Sequence, residues 1–351
     1  MKKKVWKKTL LDQNSSIKSA IKTLNKNALQ IVLVTKNKNQ LVGTLTDGDI
    51  RRALIKDSNL NRSIKNIINK KPIVAFETTS GSEINYLMAS KNIRHLPIIS
   101  EKNQRIIDLK FQNEKMKIKN IKNKFIIMAG GKGKRLLPYT KNCPKPMLAI
   151  QNKPILEHIL IKAKNEGFNN FIFSVNYLKK KIIKYFGDGS NWNVKINYLQ
   201  EKIPMGTAGS LSLLKPKPKI PFILCNADMV TDLKFSEIIN FHKLNKVDVT
   251  VVVKIFEINN PYGVVKLSGN KIKGFKEKPI FKSYINTGVY VINPTVLNFI
   301  KNKSYLDINE LIEKILLKSK KVIAYPAYEK WQDIGNIKNY KKEKNKKFNF
   351  K

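Results

Sequence analysis

The chain has 351 residues, 42% of them hydrophobic, which is enough for two or more domains with their own cores and excludes a disordered tail. Its formal charge is +43, but only 6 of the 68 basic residues are Arg, and the Lys are scattered among abundant Asn and Ile, as in proteins of AT-rich coding sequences. Without clustered Arg and interleaved aromatics, that charge does not describe a nucleic-acid partner.

Cys143 and Cys225 lie far apart, so neither a disulfide framework nor a cysteine metal site is expected. The first residues, MKKKVWKK, have the charge of a secretory leader, but TLLDQNSSIK comes next where the apolar core should stand. No apolar run reaches the ~18 residues of a membrane span. A cytoplasmic chain with no membrane partner is the expectation.

In chain order, the first 115 residues contain a repeat. Shifted by 64 positions, LNKNALQIVLVTKNKNQLVG (24–43) aligns with MASKNIRHLPIISEKNQRII (88–107) without a gap. Each copy reads as an amphipathic helix (Ile17 to Leu24; Ile84 to Met88 and beyond), a strand, a polar turn and a second strand. The first copy then enters TDGDIRRALI, where Asp49 is placed at the start of a helix packed through Ile50, Ala53 and Leu54. The region resembles a pair of cystathionine-beta-synthase-type (CBS) domains, which associate in pairs and often bind adenine nucleotides between them. The resemblance implies that Thr46 contacts phosphate and Asp49 the ribose hydroxyls. The second copy has Lys110 and Asn113 at those positions, so one such site at most is expected; Asp49 as a simple helix cap, in a pair that only dimerises, is the competing reading.

The polar segment QNEKMKIKNIKNK (112–124) separates the repeat from the rest of the chain. The domains read as 1–115, with repeat units about 5–65 and 69–115, a linker at 116–124, and a larger domain over 125–345. Strands are expected at FIIMA, NFIFSV, VKINYLQ, PFILCNA, VDVTVVVKI, GVVKL, INTGVYVI and KVIAYP, and helices near 154–166, 178–186, 207–214, 235–245, 295–300 and 307–318. This alternation argues for an α/β domain with a mostly parallel central sheet, Rossmann-like, and ligands at the carboxyl ends of its strands.

The loop after its first strand, AGGKGKRLLPYTKNCPKPM, fits neither a P-loop nor a dinucleotide fingerprint, since Leu136 stands where the latter needs a third glycine. Gly130, Gly131 and Gly133 let backbone N–H groups approach a phosphate chain, and Arg135 and Lys145 flank turns set by Pro138, Pro144 and Pro146. The run resembles the GGxGTRLxPxTxxxPKPM motif of the sugar-1-phosphate nucleotidyltransferases, with Lys134 replacing the usual Thr. The resemblance extends over about 125–340. It implies nucleotide contacts at Lys134, at Gln200 and at Gly206 and Thr207 of YLQEKIPMGTAGSL. It implies Mg²⁺ held by Asp228 of CNADMVTD and Asp333 of WQDIG, with Asp232 the fallback for the first. Sugar and sugar-phosphate contacts are implied at Gly263 of YGVV, Glu277 and Lys278 of GFKEKP and Thr287 of INTGVY. His95, His158 and His242 have no metal-ligand spacing.

The implied reaction is attack of a sugar-1-phosphate oxygen on the α-phosphorus of a nucleoside triphosphate, with Arg135, Lys145 and Asp228 as the catalytic group and pyrophosphate leaving. GTP is favoured by analogy with CBS-fused guanylyltransferases that make precursors of surface glycans; UTP, dTTP or CTP is the alternative. The amino-terminal pair would regulate or dimerise a homo-oligomer. A catalytically silent nucleotide sensor is the reading from another class.

Overall fold

A computed structural model describes residues 5–27, 30–37, 39–57, 59–91, 93–111 and 120–344. The chain divides into two units, residues 1–117 and 118–351.

The first unit runs β1 (Leu10–Asp12), α1 (Ile17–Asn27), β2 (Ile31–Lys36), β3 (Gln40–Thr46), α2 (Asp47–Lys56), β4 (Ala75–Phe76), α3 (Gly81–Ser90), β5 (His95–Ile99) and β6 (Ile106–Phe111). The 64-residue shift carries β1, α1, β2 and β3 onto β4, α3, β5 and β6 to within two residues at each start. Topology repeats too: the sheets are β1-β2-β3 and β4-β5-β6, each a parallel pair followed by an antiparallel one. Leu41 N donates to Gln104 O and Ile106 N to Asn39 O, at 3.0 and 3.1 Å, so the two hairpins meet. Trp6, Ile31 and Leu33 of the first copy share a buried cluster with Ile99, Ile106 and Leu109 of the second. One repeat could not bury these faces alone, which is the reason for the pair.

The helix expected to start at Asp49 starts earlier. Thr46 is its N-cap, and Asp49, at the third helical position, completes a capping box: its Oδ2 accepts from Thr46 N at 2.8 Å and from Thr46 Oγ1 at 2.7 Å. The sequence pattern located the carboxylate but not the reciprocal cap. Thr46→Ala should lower the stability of this unit by about 1 kcal/mol, read as an earlier denaturant midpoint for its transition.

The second unit contains β7 (Phe125–Met128), β8 (Ala149–Ile150), β9 (Lys153–Pro154), α4 (Ile155–Asn165), β10 (Asn170–Val175), α5 (Lys179–Phe186), β11 (Lys195–Gln200), α6 (Gly206–Gly209), β12 (Phe222–Asn226), β13 (Met229–Thr231), α7 (Phe235–Asn245), β14 (Val249–Asn259), β15 (Val264–Ser268), β16 (Lys271–Lys276), β17 (Ile280–Ile292), α8 (Ile308–Leu317), β18 (Val322–Ala327), β19 (Trp331–Asp333) and α9 (Ile337–Lys344). Its main sheet has the order β11-β10-β7-β12-β17-β14-β18, parallel except for β17, which runs against both neighbours. Strand residues alternate between two cores. Phe125, Ile127, Ile223 and Cys225 pack with α4, α5 and α7 on one face, and Ile126, Phe222 and Leu224 pack with α6 and α8 on the other. The result is a three-layer sandwich, which near-continuous apolar strands require.

Two expected helices differ. Residues 207–214 form one α turn, α6, followed by a 3-10 segment Ser210–Leu213, and 295–300 is the 3-10 segment Pro294–Phe299. In the first case Gly206, Thr207 and Gly209 shorten the helix, since two glycines in four residues raise its entropic cost. Most of the expected linker, residues 116–119, lies outside the described residues. Its end is built into the second unit, because Ile121 bridges to Phe168 and the buried Asn123 donates from Nδ2 to Pro221 O at 2.6 Å.

Candidate active site

Register brings Met128, Ser174 and Asn226 to one level at the carboxyl ends of β7, β10 and β12, with Gln200 ending β11 beside Val175. The segments after those strands therefore gather on one edge, where parallel α/β sheets bind ligands.

The glycine loop is shaped by its neighbours. Gly133 has φ +63°, and a Cβ there would lie 3.0 Å from Lys145 Cβ, so a larger residue would be strained and would push on the lysine stem. Thr140 Oγ1 donates to Gly133 O at 2.9 Å and fixes the turn. Gly131 faces open space, while Lys134 and Arg135 are exposed on a short 3-10 turn anchored by the buried Leu136.

Lys145 is buried, and its Nζ donates to Asp228 Oδ2. β13 and β19 pair in antiparallel fashion with Met229 opposite Asp333, and Ile334 N donates to Asp228 O at 2.8 Å. Two aspartates 105 positions apart in sequence are thus neighbours. Burial pushes the Asp333 carboxyl above its ordinary value, and the Asp228 charge pushes it further; Lys145, the Gly335 N–H and Arg135 pull it back. Arg135, Lys145, Asp228 and Asp333 are therefore close enough to feel one another.

An apolar cluster beneath them sets their positions. Leu136, Leu148, Ile150, Ile155, Ile334 and Tyr340 form one buried group. Tyr340, on α9, donates from its hydroxyl to Ala149 O at 3.1 Å and meets the Tyr139 ring edge-on at 5.3 Å. Asn339 Nδ2 donates to Asp333 O at 2.9 Å. Helix α9 went unread in the sequence because its mostly lysine face hides the two apolar contacts, Ile337 and Tyr340.

Other expected site residues are placed differently. Gln200 is exposed at the end of β11. Gly206, at φ +73°, backs onto Leu306 O, and Thr207 joins α6 to α8: its N donates to Asp307 Oδ1 at 3.2 Å and its Oγ1 accepts from Ile308 N at 2.8 Å. Thr287 is buried, donates to Val252 O at 2.8 Å and receives Trp331 Nε1 on its carbonyl at 3.0 Å. The hydroxyls of Thr207 and Thr287 thus hold the scaffold. Gly263 and Glu277 come together, a Cβ on the glycine lying 3.0 Å from Glu277 Oε2. Lys278 stands beside Glu277, both side chains well exposed, where β14 and β17 run beyond the sheet edge. Asp232 is exposed beyond the far end of β13 from Asp228.

The aspartate pair fits a divalent cation. Two part-buried neighbouring carboxylates are relieved of their mutual repulsion by such an ion, and Mg²⁺ takes one or two carboxylates with phosphate oxygens and water completing its shell. Among the described residues no group of three or more His, Cys, Asp or Glu could hold a metal by itself, which leaves the remaining positions to a substrate.

The glycine loop and the paired aspartates thus lie at the strand-end edge where α/β sheets take ligands. Residues 124–348 match the nucleotidyl transferase family model, and the chain belongs to that family; residues 6–56 and 64–109 match the CBS domain model, so the first unit is a CBS pair. The chain is 34% identical over 225 residues to the mannose-1-phosphate guanylyltransferase catalytic subunit beta of Xenopus tropicalis. It is 31% identical over 226 residues to the mannose-1-phosphate guanyltransferase of Schizosaccharomyces pombe. Each match covers 62% of this chain and 62% of the relative, so the chain spans under two thirds of their length. A Bacillus anthracis structure assigned as a glucose-1-phosphate thymidylyltransferase superposes with a TM-score of 0.52 at 21% identity, over 64% of this chain and 97% of that one, a likeness of fold. Among the described residues no helix is long and apolar enough to cross a membrane.

Proposed function

We propose that the protein transfers a nucleotidyl group from a nucleoside triphosphate to a sugar 1-phosphate, releasing pyrophosphate and forming a nucleotide-sugar. The carrying observation is the convergence of Lys145, Asp228 and Asp333 at the carboxyl edge of the sheet beside the glycine loop. Lys145 has three donors and uses one on Asp228, which leaves two for the α-phosphate and the sugar phosphate between which the new bond forms. Arg135, exposed at the loop's rim, meets the departing pyrophosphate. Backbone N–H groups around Gly130, Gly131 and Gly133 hold the phosphate chain, with Lys134 adding a second ammonium. Asp228 and Asp333 would hold Mg²⁺, which supplies neutralisation of phosphate charge. Gln200 reads the base, backed by the segment at Gly206 and Thr207. Glu277 and Lys278 take the sugar and its phosphate, with Gly263 leaving room and Thr287 shaping the wall.

GTP with mannose 1-phosphate is the preferred pair, supported by what the relatives are named for. Surface glycan synthesis would then be the use of the product. A matrix of GTP, UTP, dTTP and CTP against several hexose and hexosamine 1-phosphates, scored by pyrophosphate release, tests the reading; silence in every cell would leave a nucleotide sensor.

The CBS pair is assigned a regulatory or dimerising role, with an adenine nucleotide at Thr46 and Asp49. Asp49 Oδ1 is paired with Arg52 Nη2 at 2.5 Å, and the Arg52 side chain is largely exposed, so ribose hydroxyls can displace it without unpacking α2. An adenine nucleotide should shift turnover or assembly, Asp49→Ala should abolish the shift, and Arg52→Ala should retain it; equal response in wild type and Asp49→Ala would sink the assignment. A homo-oligomer suits the apolar row Val265, Leu267, Ile272 and Phe275 on one face of the β15–β16 hairpin, exposed by 42, 64, 59 and 75%. A cytoplasmic setting, where the substrates are made, accompanies this reading.

A further inference from the structure

Glu201 is a buried carboxylate one residue beyond Gln200, and the proposed reaction makes no use of it. Its Oε1 accepts from Ser174 Oγ at 2.8 Å and its Oε2 from Met205 N at 3.0 Å. Its own N donates to Val175 O at 3.0 Å, and its carbonyl accepts from Asn176 Nδ2 at 3.3 Å. On the remaining side is Gly130: a Cβ there would lie 3.0 Å from Glu201 Oε1 and 3.2 Å from Asn176 Cβ, and Gly130 O accepts from Tyr177 N at 3.3 Å. One side chain thus touches the glycine loop after β7, the end of β10 and the turn from β11 into α6.

We infer that Glu201 is a positioning residue that sets the spacing between the loop holding the phosphate chain and the segment meeting the base. The inference rests on the nucleotidyl-transfer reading. A carboxylate suits the task because both oxygens accept, so a hydroxyl on one side and a backbone N–H on the other are satisfied at once. Charge-assisted bonds of this kind are short and strong, and inside the fold they cannot be replaced by water without cost. Gly130 is then glycine because the clamp occupies the volume where its Cβ would be. A triphosphate nucleotide spans both loops, whereas the sugar 1-phosphate side of the pocket, carried by β14 and β17, is free of this tie. Loosening Glu201 should therefore weaken nucleotide binding selectively.

The test compares Glu201→Ala and Glu201→Gln with wild type in the full chain. The amide keeps the shape, accepts from Met205 N through its oxygen and can donate to Ser174 Oγ. Losing both bonds in Glu201→Ala should raise the KM for the triphosphate about tenfold, leave the KM for the sugar 1-phosphate within about twofold, and let Glu201→Gln recover most of the loss. Hydrogen exchange gives a readout without turnover: peptides covering 129–133 and 201–206 should exchange faster together in Glu201→Ala, and near wild-type rates in Glu201→Gln. Unchanged exchange in both peptides, or both KM values rising equally, overturns the inference. If wild type binds no triphosphate in equilibrium dialysis, the nucleotidyl-transfer reading itself falls; if wild type binds and Glu201→Ala binds equally well, only the role of Glu201 falls.

Discussion

Lys145→Ala should lower kcat/KM by about 10²–10³, the loss expected when one preorganised cation facing developing charge is removed. The group is well placed for such an effect. Its stem is buried against Gly133, and its Nζ is held by Asp228 at the carboxyl edge of the sheet. Lys145→Arg should recover little, because a wide planar guanidinium on a differently shaped stem replaces a compact ammonium whose place is fixed by Asp228. A second measurement separates lost catalysis from lost folding. Lys145 lowers the Asp333 pKa, so its charge also offsets the negative potential of the two aspartates. Removing it should tighten Mg²⁺ or Mn²⁺ binding to the substrate-free protein while turnover falls. Turnover within threefold of wild type, scored by pyrophosphate release, would take Lys145 out of the chemistry.

This opposition between binding the ion and moving the phosphate shows why the sequence revealed some of the site and not the rest. Loop residues were legible because their chemistry is local: Gly133 needs its φ, and Lys145 sits between two prolines. The repeat was legible because a 64-residue shift preserves strand and helix together. Asp228 and Asp333 could be named only through resemblance to a family, since their pairing depends on β13 meeting β19 across more than 100 residues. Glu201 carried no signal at all. Beside Gln200 it reads as one more polar residue at a strand end, and alternation along β11 turns it inward while Gln200 faces out. Thr207 and Thr287, expected along the substrates' path, use their hydroxyls on backbone groups, a role that the motif alone does not display.

The cluster under the site adds a constraint that no motif contains. Leu136 comes directly after Arg135, and Ile334 directly after Asp333, and both side chains enter the same buried group as Tyr340 of α9. The outward residue of each pair is aimed by the inward one. A substitution in α9 that empties Tyr340's place would disturb two functional groups at once without touching either.

Asp333→Asn should abolish most turnover and yet stabilise the metal-free protein. Its folded pKa is raised by burial and by Asp228, so the folded state holds this proton more tightly than the unfolded chain does. Stability from that difference is complete below the unfolded value, near 3.8, and is lost as pH rises through the folded value. At neutral pH the ionised Asp333 is therefore a cost to folding, and an amide removes the cost along with the repulsion from Asp228. Thermal unfolding of the metal-free variant should occur at a higher temperature than wild type at pH 7, with the gap closing toward pH 4. Turnover should fall by about 10² or more, since a neutral amide neither balances the ion's charge nor holds it against the phosphates. Adding Mg²⁺ should raise the wild-type midpoint and leave the variant's nearly unmoved, which reverses or closes the gap between them. If the variant were instead less stable than wild type without metal, the Asp333 carboxylate would be a structural partner of the Gly335 N–H, and the second metal ligand would have to be sought elsewhere.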